Sequence, residues 1–562
     1  MLLPDAKLKE LILKTGLVNE EKLEELISVA KNSESSLSNI LVERDIISDE
    51  NLGLLIADEL HVPFIVLSKI FIPDEVKHII PPKMARKYKA IPFGRDTQGI
   101  KIAMADPSKT EVTQAITQKT GQNVNVFLAT ERDIYNSLQI YQKELQQVIG
   151  NVQNKNTPLN TKIPAQSDVS ITKIVDSVIE HAYQDRASDV HIEAEENNSV
   201  IRFRIDGILH DVLFLPKGLH EQVIARIKVL SRLRTDEHLS PQDGKMRMKM
   251  EDEDLDIRVS ILPMVDGEKA VLRLLSSHFQ QFSLVNLGMN EKDLAKIQGA
   301  FTKSFGMILS TGPTGSGKST SIYAILKILN TREKNITTIE DPVEYRIKGV
   351  NQIQVNAKTN LTFAAGLRSI LRQDPNIIFV GEIRDNETAG IAVNAALTGH
   401  LVLSTLHTND AATALPRFTD MGLEPYLIAS TVNVIVGQRL VRKICEMCKS
   451  SIVMSKSDLL KNIEEDLLLK YFGEKEVVRM YKGHGCKVCH MTGYKGRIGI
   501  FEVLEVTATI RELIAKKITS DIIAKKAQEE GMTTMFEDGL QKIAKGMTTL
   551  EEILRVTKVE SL

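Results

Sequence analysis

Residues 307–320 read MILSTGPTGSGKST, which contains the spacing G-x-x-x-x-G-K-S in Gly312, Gly317, Lys318 and Ser319. Glycines at that spacing leave backbone N–H groups free to converge on phosphate oxygens. The context fits: Met307, Ile308 and Leu309 form a short apolar strand, and Ile322, Ile325, Leu326 and Leu329 recur at helical spacing afterwards. The loop from Gly312 through Pro313, Thr314, Gly315, Ser316 and Gly317 to Lys318, Ser319 and Thr320 is therefore predicted on a strand-to-helix turn, where the helix N-terminus also favours an anion. Lys318 supplies a point charge for the β and γ phosphates of ATP, and the Ser319 hydroxyl is a ligand for Mg2+.

Three further apolar strands end in polar residues. Ile336–Ile339 runs into Glu340, Asp341, Pro342, Val343 and Glu344; Ile377–Val380 runs into Gly381 and Glu382; Leu401–Thr405 ends near His407. In an open parallel sheet, ligands bind beyond the carboxyl ends of the strands, the edge that also carries the phosphate loop. One carboxylate there orients water for attack on the γ-phosphorus, and another holds the metal. The second of these strands has Gly381 where P-loop enzymes ordinarily carry an Asp. The metal role therefore moves to Glu382, Glu344 becomes the water-positioning residue, and His407 a sensor of the γ-phosphate.

The chain has four cysteines, in two C-x-x-C pairs: Cys445 with Cys448, and Cys486 with Cys489. Two such knuckles complete a tetrahedral thiolate site, which suits structural Zn2+. Disulfides and a redox C-x-x-C are the competing readings. The intervening stretch is longer than in a short zinc ribbon, and Ser457–Phe472 reads as a helix within it.

These sites need several domains to position them, and 562 residues allow three to four. Residues 1–145 hold two similar helix–turn–helix segments, LKELILKTGLVNEEKLEELI and LSNILVERDIISDENLGLLI, with Asn19 and Ser48 as N-cap signatures, then a strand-rich segment over Ala90–Ala103. Residues 146–168 read as a polar linker. Residues 169–285 read as an α+β domain: a helix carrying Ile171, Ile174, Val175 and Val178, a hairpin turning at Asn197–Asn198, and strands with Arg202, Arg204 and Arg258 on their polar faces. Residues 286–562 form the nucleotide-binding α/β domain. Lys+Arg 71 against Asp+Glu 73 gives a net charge of −2, which speaks against affinity built on nucleic-acid phosphates. No secretory signal and no membrane-spanning run is read, so the expected location is cytoplasmic.

Taken together, GPTGSGKST, TTIEDPVEYRI, LRQDPNIIFVGEIRDNETA and TGHLVLSTLHTNDA resemble the Walker A, Asp box, atypical Walker B and His box (His400, His407) of the type II/type IV secretion ATPases, the GspE/PilB family. The four-cysteine knuckle followed by GYKGRIGIFEVL resembles its extension and secretion motors more than its retraction motors. The resemblance implies a RecA-like P-loop domain, a PAS-like second N-terminal domain, and a helical/α+β first domain of the GspE-N or MshEN type. It implies a mechanochemical homohexamer with ATP held between second and third domains. It also maps trans-acting arginines to Arg258 and Arg273, with Arg368 and Arg372 as further candidates at the subunit junction. Implied partners are an inner-membrane platform protein and a cytoplasmic adaptor, at the membrane periphery. Pilus assembly is the expected task, with a type II secretion pseudopilus as the alternative. A DNA-translocating motor and a non-hydrolysing nucleotide sensor fit the residues less well. Two departures stand out. HLSPQDGKM places Leu239 and Lys245 where basic residues are usual, and Lys cannot copy a bidentate Arg. In the first domain, Lys7, Ala30, Ser36 and Glu59 stand where the cyclic-di-GMP-binding version uses Arg and Gln, so tight cyclic-di-GMP binding is not expected.

Overall fold

A computed structural model of the chain describes residues 3, 5–15, 18–32, 36–43, 46–70, 72–77, 79–138, 166–250, 253–276 and 283–557. The linker expected over 146–168 lies outside these residues except for 166–168, which open a helix, Gln166–Gln184. The chain divides into two units. One holds residues 1–274 with Ile444–Lys456 and Glu476–Lys495; the other holds Leu275–Lys443, Ser457–Lys475 and Gly496–Leu562.

In the first unit the sequence repeat becomes two helix pairs, Asp5–Lys14 with Glu20–Asn32 and Leu37–Glu43 with Asp49–Leu60. Leu8, Ile12, Leu23, Leu26, Leu37, Ile40 and Leu41 share one core. Ser48 caps its helix by accepting from the Asn51 amide at 3.2 Å, as its short hydroxyl side chain favours. Lys7 of the first repeat pairs with Glu59 of the second at 2.6 Å, and Ala30 is buried. A three-stranded sheet follows, β1 (Ala90–Asp96), β2 (Gly99–Met104) and β3 (Val124–Leu128), with β1 antiparallel and β3 parallel to β2.

The next sheet contains β4 (Asp189–Ala194), β5 (Asn198–Ile205), β6 (Ile208–Pro216), β7 (Gln242–Lys249), β8 (Asp254–Met264) and β9 (Gly267–Leu275), in the order β6-β5-β4-β9-β8-β7. The Gln166–Gln184 and Lys217–Leu230 helices close its apolar face over Ile192, Phe203, Leu255 and Ile257. The hairpin turn differs from the expected pair Asn197–Asn198. It is a four-residue turn closed by the Glu195 amide on the Asn198 carbonyl, and Asn198 already pairs with Pro216 of β6. The opposite face is a charge ladder. Glu193 binds Arg202 and Lys269, and Asp189 faces Arg204 at 3.5 Å and Arg273 at 3.0 Å. Arg202 and Arg204 are thus partnered across the sheet instead of simply solvated.

In the second unit the strands are β10 (Gly306–Thr311), β11 (Ile336–Glu340), the edge strand β12 (Asn351–Gln354), β13 (Ile377–Val380), β14 (Leu401–Leu406) and β15 (Val432–Ile444). β16 (Lys449–Ser455) and β17 (Val477–Gly483) form a separate antiparallel ribbon that belongs to the first unit, and β18 (Tyr494–Glu505) completes a seven-stranded sheet ordered β12-β11-β13-β14-β10-β15-β18. The pairings from β12 through β15 are parallel, which explains the continuous apolar runs: β10, β11, β13 and β14 are buried at every residue. The helix expected over Ser457–Phe472 is two pieces, Lys456–Leu459 and Glu465–Phe472. A tight turn of Asn462 and Ile463 amides on the Leu459 carbonyl separates them, and extended Glu464 restarts the second.

Candidate functional site

The phosphate loop joins β10 to the Lys318–Leu329 helix, as its spacing predicts. Gly312, Gly315 and Gly317 have φ of 143°, 79° and 90°, conformations that a Cβ disfavours. At Gly312 space is the second constraint: a Cβ there would lie 2.4 Å from the Gln438 carbonyl. The Lys318 ammonium donates to the carbonyls of Gly312 at 2.7 Å and Pro313 at 3.1 Å, so it is curled inside the loop. Its burial lowers its pKa, opposed by the charge of Glu382. Ser316 is buried, Ser319 exposed. Gln438 of β15 braces the loop from beneath, accepting from Ser310 Oγ at 3.2 Å and donating to the Ser316 carbonyl at 2.8 Å.

Beyond β13, Glu382 is buried and gathers two partners, Arg384 at 2.6 Å and His407 Nε2 at 3.3 Å. Burial lowers the pKa of His407, and the nearby Lys318 charge adds to this. Lys318, Glu382 and His407 therefore form one electrostatic group at the carboxyl edge of the sheet. Arg384, a fourth member, was not anticipated from sequence; its only signal was its position two residues beyond Glu382. The unusual Gly381 has a steric cause. Its amide donates to the Ile339 carbonyl at 2.7 Å, and a Cβ would sit 3.2 Å from both that oxygen and the Glu340 Cα.

Glu340 is not a free strand-tip carboxylate. It accepts from the Tyr323 hydroxyl, from Thr338 Oγ1 at 2.5 Å and from Gln352 Nε2 at 3.2 Å. Burial raises its pKa. Tyr323 belongs to the helix that begins at Lys318, and its hydroxyl also receives the backbone amide of Glu344. Gln352 in turn donates to the Tyr345 carbonyl at 3.1 Å and accepts from the Ile347 amide at 2.8 Å. The network ties the phosphate-loop helix to the segment carrying half-buried Glu344. His400 is spent locally, its Nδ1 bonding the Ala395 carbonyl at 3.0 Å. Exposed Arg368 pairs with Glu387, and exposed Arg372 donates to the Arg368 carbonyl at 3.0 Å.

Arg258 and Arg273 lie in the other unit, on β8 and β9. Arg273 is held by Asp189 through Nε while its side chain stays 59% exposed; Arg258 is half-buried opposite Lys245 of β7.

The four cysteines also lie in that unit. Their sulfurs are within 4.8 Å of one another, with Cys445–Cys486, Cys448–Cys489 and Cys486–Cys489 at 3.8, 3.9 and 3.7 Å. No disulfide forms at such separations. Tetrahedral ligands about 2.3 Å from zinc stand roughly 3.8 Å apart, so the donor set fits the ion in number, type and spacing. Burial pushes the Cys445 thiol up to about 12. Burial acts the same way on Cys489, but backbone amides of Cys486 (3.2 Å) and Gly493 (3.3 Å) donate to its sulfur and lower its pKa.

Comparison with known proteins decides the family. Residues 164–555 match the type II/IV secretion system protein family, and residues 60–147 match the MshEN domain. The chain belongs to the type II/IV secretion family. The type IV pilus assembly ATPase PilB of Myxococcus xanthus is 35% identical over 98% of both chains. Type II secretion system protein E of Pseudomonas aeruginosa is 43% identical over 70% of this chain and 77% of its own. The Legionella pneumophila ATPase DotB superposes with a TM-score of 0.51 over 72% of this chain and 97% of its own, at 20% identity, a likeness of fold. This family member is thus a RecA-like ATPase of the pilus and secretion class. No helix among the described residues is long and apolar enough to cross a membrane.

Proposed function

We propose that this ATPase assembles as a homohexamer and couples ATP hydrolysis to type IV pilus assembly, acting on an inner-membrane platform protein from the cytoplasmic side. The observation that carries the reading is the alignment with a pilus assembly ATPase along 98% of both chains, first domain included. The type II secretion relatives favour the alternative through higher identity over a shorter span.

In this reading the amides of Gly312–Ser319 cradle the phosphates, and Lys318 leaves the Gly312 and Pro313 carbonyls to meet the β and γ oxygens. Ser319 and Glu382 would hold Mg2+, which neutralises phosphate charge when bound. Glu344, steadied through Tyr323 and Gln352, orients the attacking water. His407 reports the γ-phosphate to Glu382. Arg258 and Arg273 act on the nucleotide of an adjoining subunit, where a second copy completes the pocket. Cys445, Cys448, Cys486 and Cys489 bind a structural Zn2+, and the first domain docks onto the membrane platform or its cytoplasmic adaptor. The Lys7–Glu59 pair and buried Ala30 support the absence of tight cyclic-di-GMP binding. The nearly balanced charge supports no role in moving nucleic acid.

The test is deletion of the gene in its host, followed by counts of surface pili and of secreted enzymes. Loss of pili with secretion intact is expected. Lost secretion with pili unchanged would overturn the assignment.

A further inference from the structure

The loop after β14 carries His407 and must hold that imidazole against Glu382. Its far end is fastened by a residue that the catalytic reading does not use. Glu502 lies on β18, 7% exposed, at the opposite edge of the sheet from β12. Its Oε1 accepts from the Ala411 amide at 2.7 Å, four residues past His407. Its Oε2 accepts from the Met535 amide at 3.4 Å, the first residue of the Met535–Ala544 helix. Among the described residues Glu502 has no ion-pair partner. Space has been cleared for it: a Cβ on Gly437 of β15 would meet Glu502 Cγ and Oε1 at 2.8 Å, and the Ala411 amide at 3.1 Å.

The helix does not need Glu502 as a cap. Thr534 accepts from the Glu537 amide at 3.2 Å, and Glu537 accepts from the Thr534 amide at 3.2 Å, a complete capping box. A second carboxylate runs the other way, Asp538 accepting from the Phe501 amide at 2.8 Å. Two buried carboxylates thus lock β18 to this helix, and one of them also grips the His407 loop. One residue earlier the same loop touches the phosphate strand, through Thr311 Oγ1 on the Asp410 carbonyl at 3.2 Å.

We propose that Glu502 is a positioning residue for ATP turnover, fixing the His407 loop to the C-terminal helices so that His407 stays aligned with Glu382. This rests on the reading that Lys318, Glu382 and His407 serve ATP hydrolysis. An amide at 502 keeps one acceptor and must turn an N–H toward the other donor, so the loop shifts while the phosphate loop itself is untouched. A displacement of about 1 Å in a reacting constellation costs on the order of 100-fold in rate.

The experiment is steady-state Mg-ATP hydrolysis by the full-length oligomer carrying Glu502→Gln, His407→Ala, or both. Glu502→Gln is expected to lower kcat at least tenfold and leave KM within about threefold. The double variant should fall within about threefold of the slower single variant, because both changes disable one device. Unchanged kcat, a rise in KM alone, or effects that multiply in full would each overturn the proposal. If Glu502→Gln does not fold, Met535→Pro against Met535→Ala replaces it. Proline removes the amide donor at a first helical position it tolerates, after extended Thr534, while alanine keeps the donor. A slower proline variant is expected; equal rates would overturn the proposal. Absence of hydrolysis by the wild-type oligomer would instead remove the reading beneath it.

Discussion

Glu502 also makes a thermodynamic prediction. Burial pushes its carboxyl up to about 7 from the ordinary glutamate value of 4.5, opposed by the Ala411 amide. The folded state therefore binds this proton more tightly than the unfolded chain. Its contribution is complete below pH 4.5 and is lost as pH rises through about 7, so it lowers stability with rising pH across that window. A shift of that size corresponds to roughly 3 kcal/mol. Glu502→Gln removes the titration and adds a cost of about 1–3 kcal/mol for an unsatisfied amide, which does not change with pH. The wild-type advantage over Glu502→Gln should therefore shrink by about 3 kcal/mol between pH 4.5 and pH 8. Urea titrations of both full-length chains provide the assay, with hydrogen exchange read on peptides from β10, β14 and β18. The chain has no tryptophan, and a multidomain protein has no single unfolding transition. A wild-type advantage that is constant, or that grows with pH, would refute the argument.

Glu344→Gln should abolish turnover while ATP remains bound, and Lys318→Ala should reduce nucleotide affinity; hydrolysis by Glu344→Gln at the wild-type rate would remove Glu344 from its role. Chelating zinc should unfold the four-cysteine segment and spare nucleotide binding, which circular dichroism and a fluorescent ATP analogue read side by side. Immediate loss of ATP affinity would contradict that division. Glu552 has its pKa lowered to about 2: burial opposes the shift, but Arg442 and Arg555 overcome it, with Arg442 Nη2 at 2.5 Å. Its stabilisation is present above pH 4.5 and is lost as pH falls toward 2, so Glu552→Gln should cost about 3–5 kcal/mol at pH 7 and progressively less in acid. An equal cost at pH 7 and pH 3 in urea titrations would contradict the ion-triad account.

Local sequence reveals those parts of the site that local chemistry determines. The phosphate loop is legible because glycine spacing, an apolar strand and a helical period are all local. The cysteine pairs are legible because each knuckle is four residues long. Glu382 and His407 are legible as strand tips because parallel strands place their carboxyl ends at one edge. Glu340 shows the limit: it reads as one more tip, yet Tyr323 and Gln352, seventeen and twelve residues away, bury it as a brace. Gln438 and Glu502 were illegible since their roles depend on sheet order. Only the strand order β10-β15-β18 brings them under the loop and against Ala411. Arg202 and Arg204 are legible only as part of a polar strand face; their partners Glu193 and Asp189 come from β4 across the sheet.

The central claim is that ATP is cleaved in a pocket completed by an adjoining copy of the chain. The direct measurement is phosphate release per subunit across a dilution series, with oligomeric state recorded on the same samples. The account predicts activity that appears with the ring and vanishes in isolated monomers. Monomers as active per chain as the ring would contradict it.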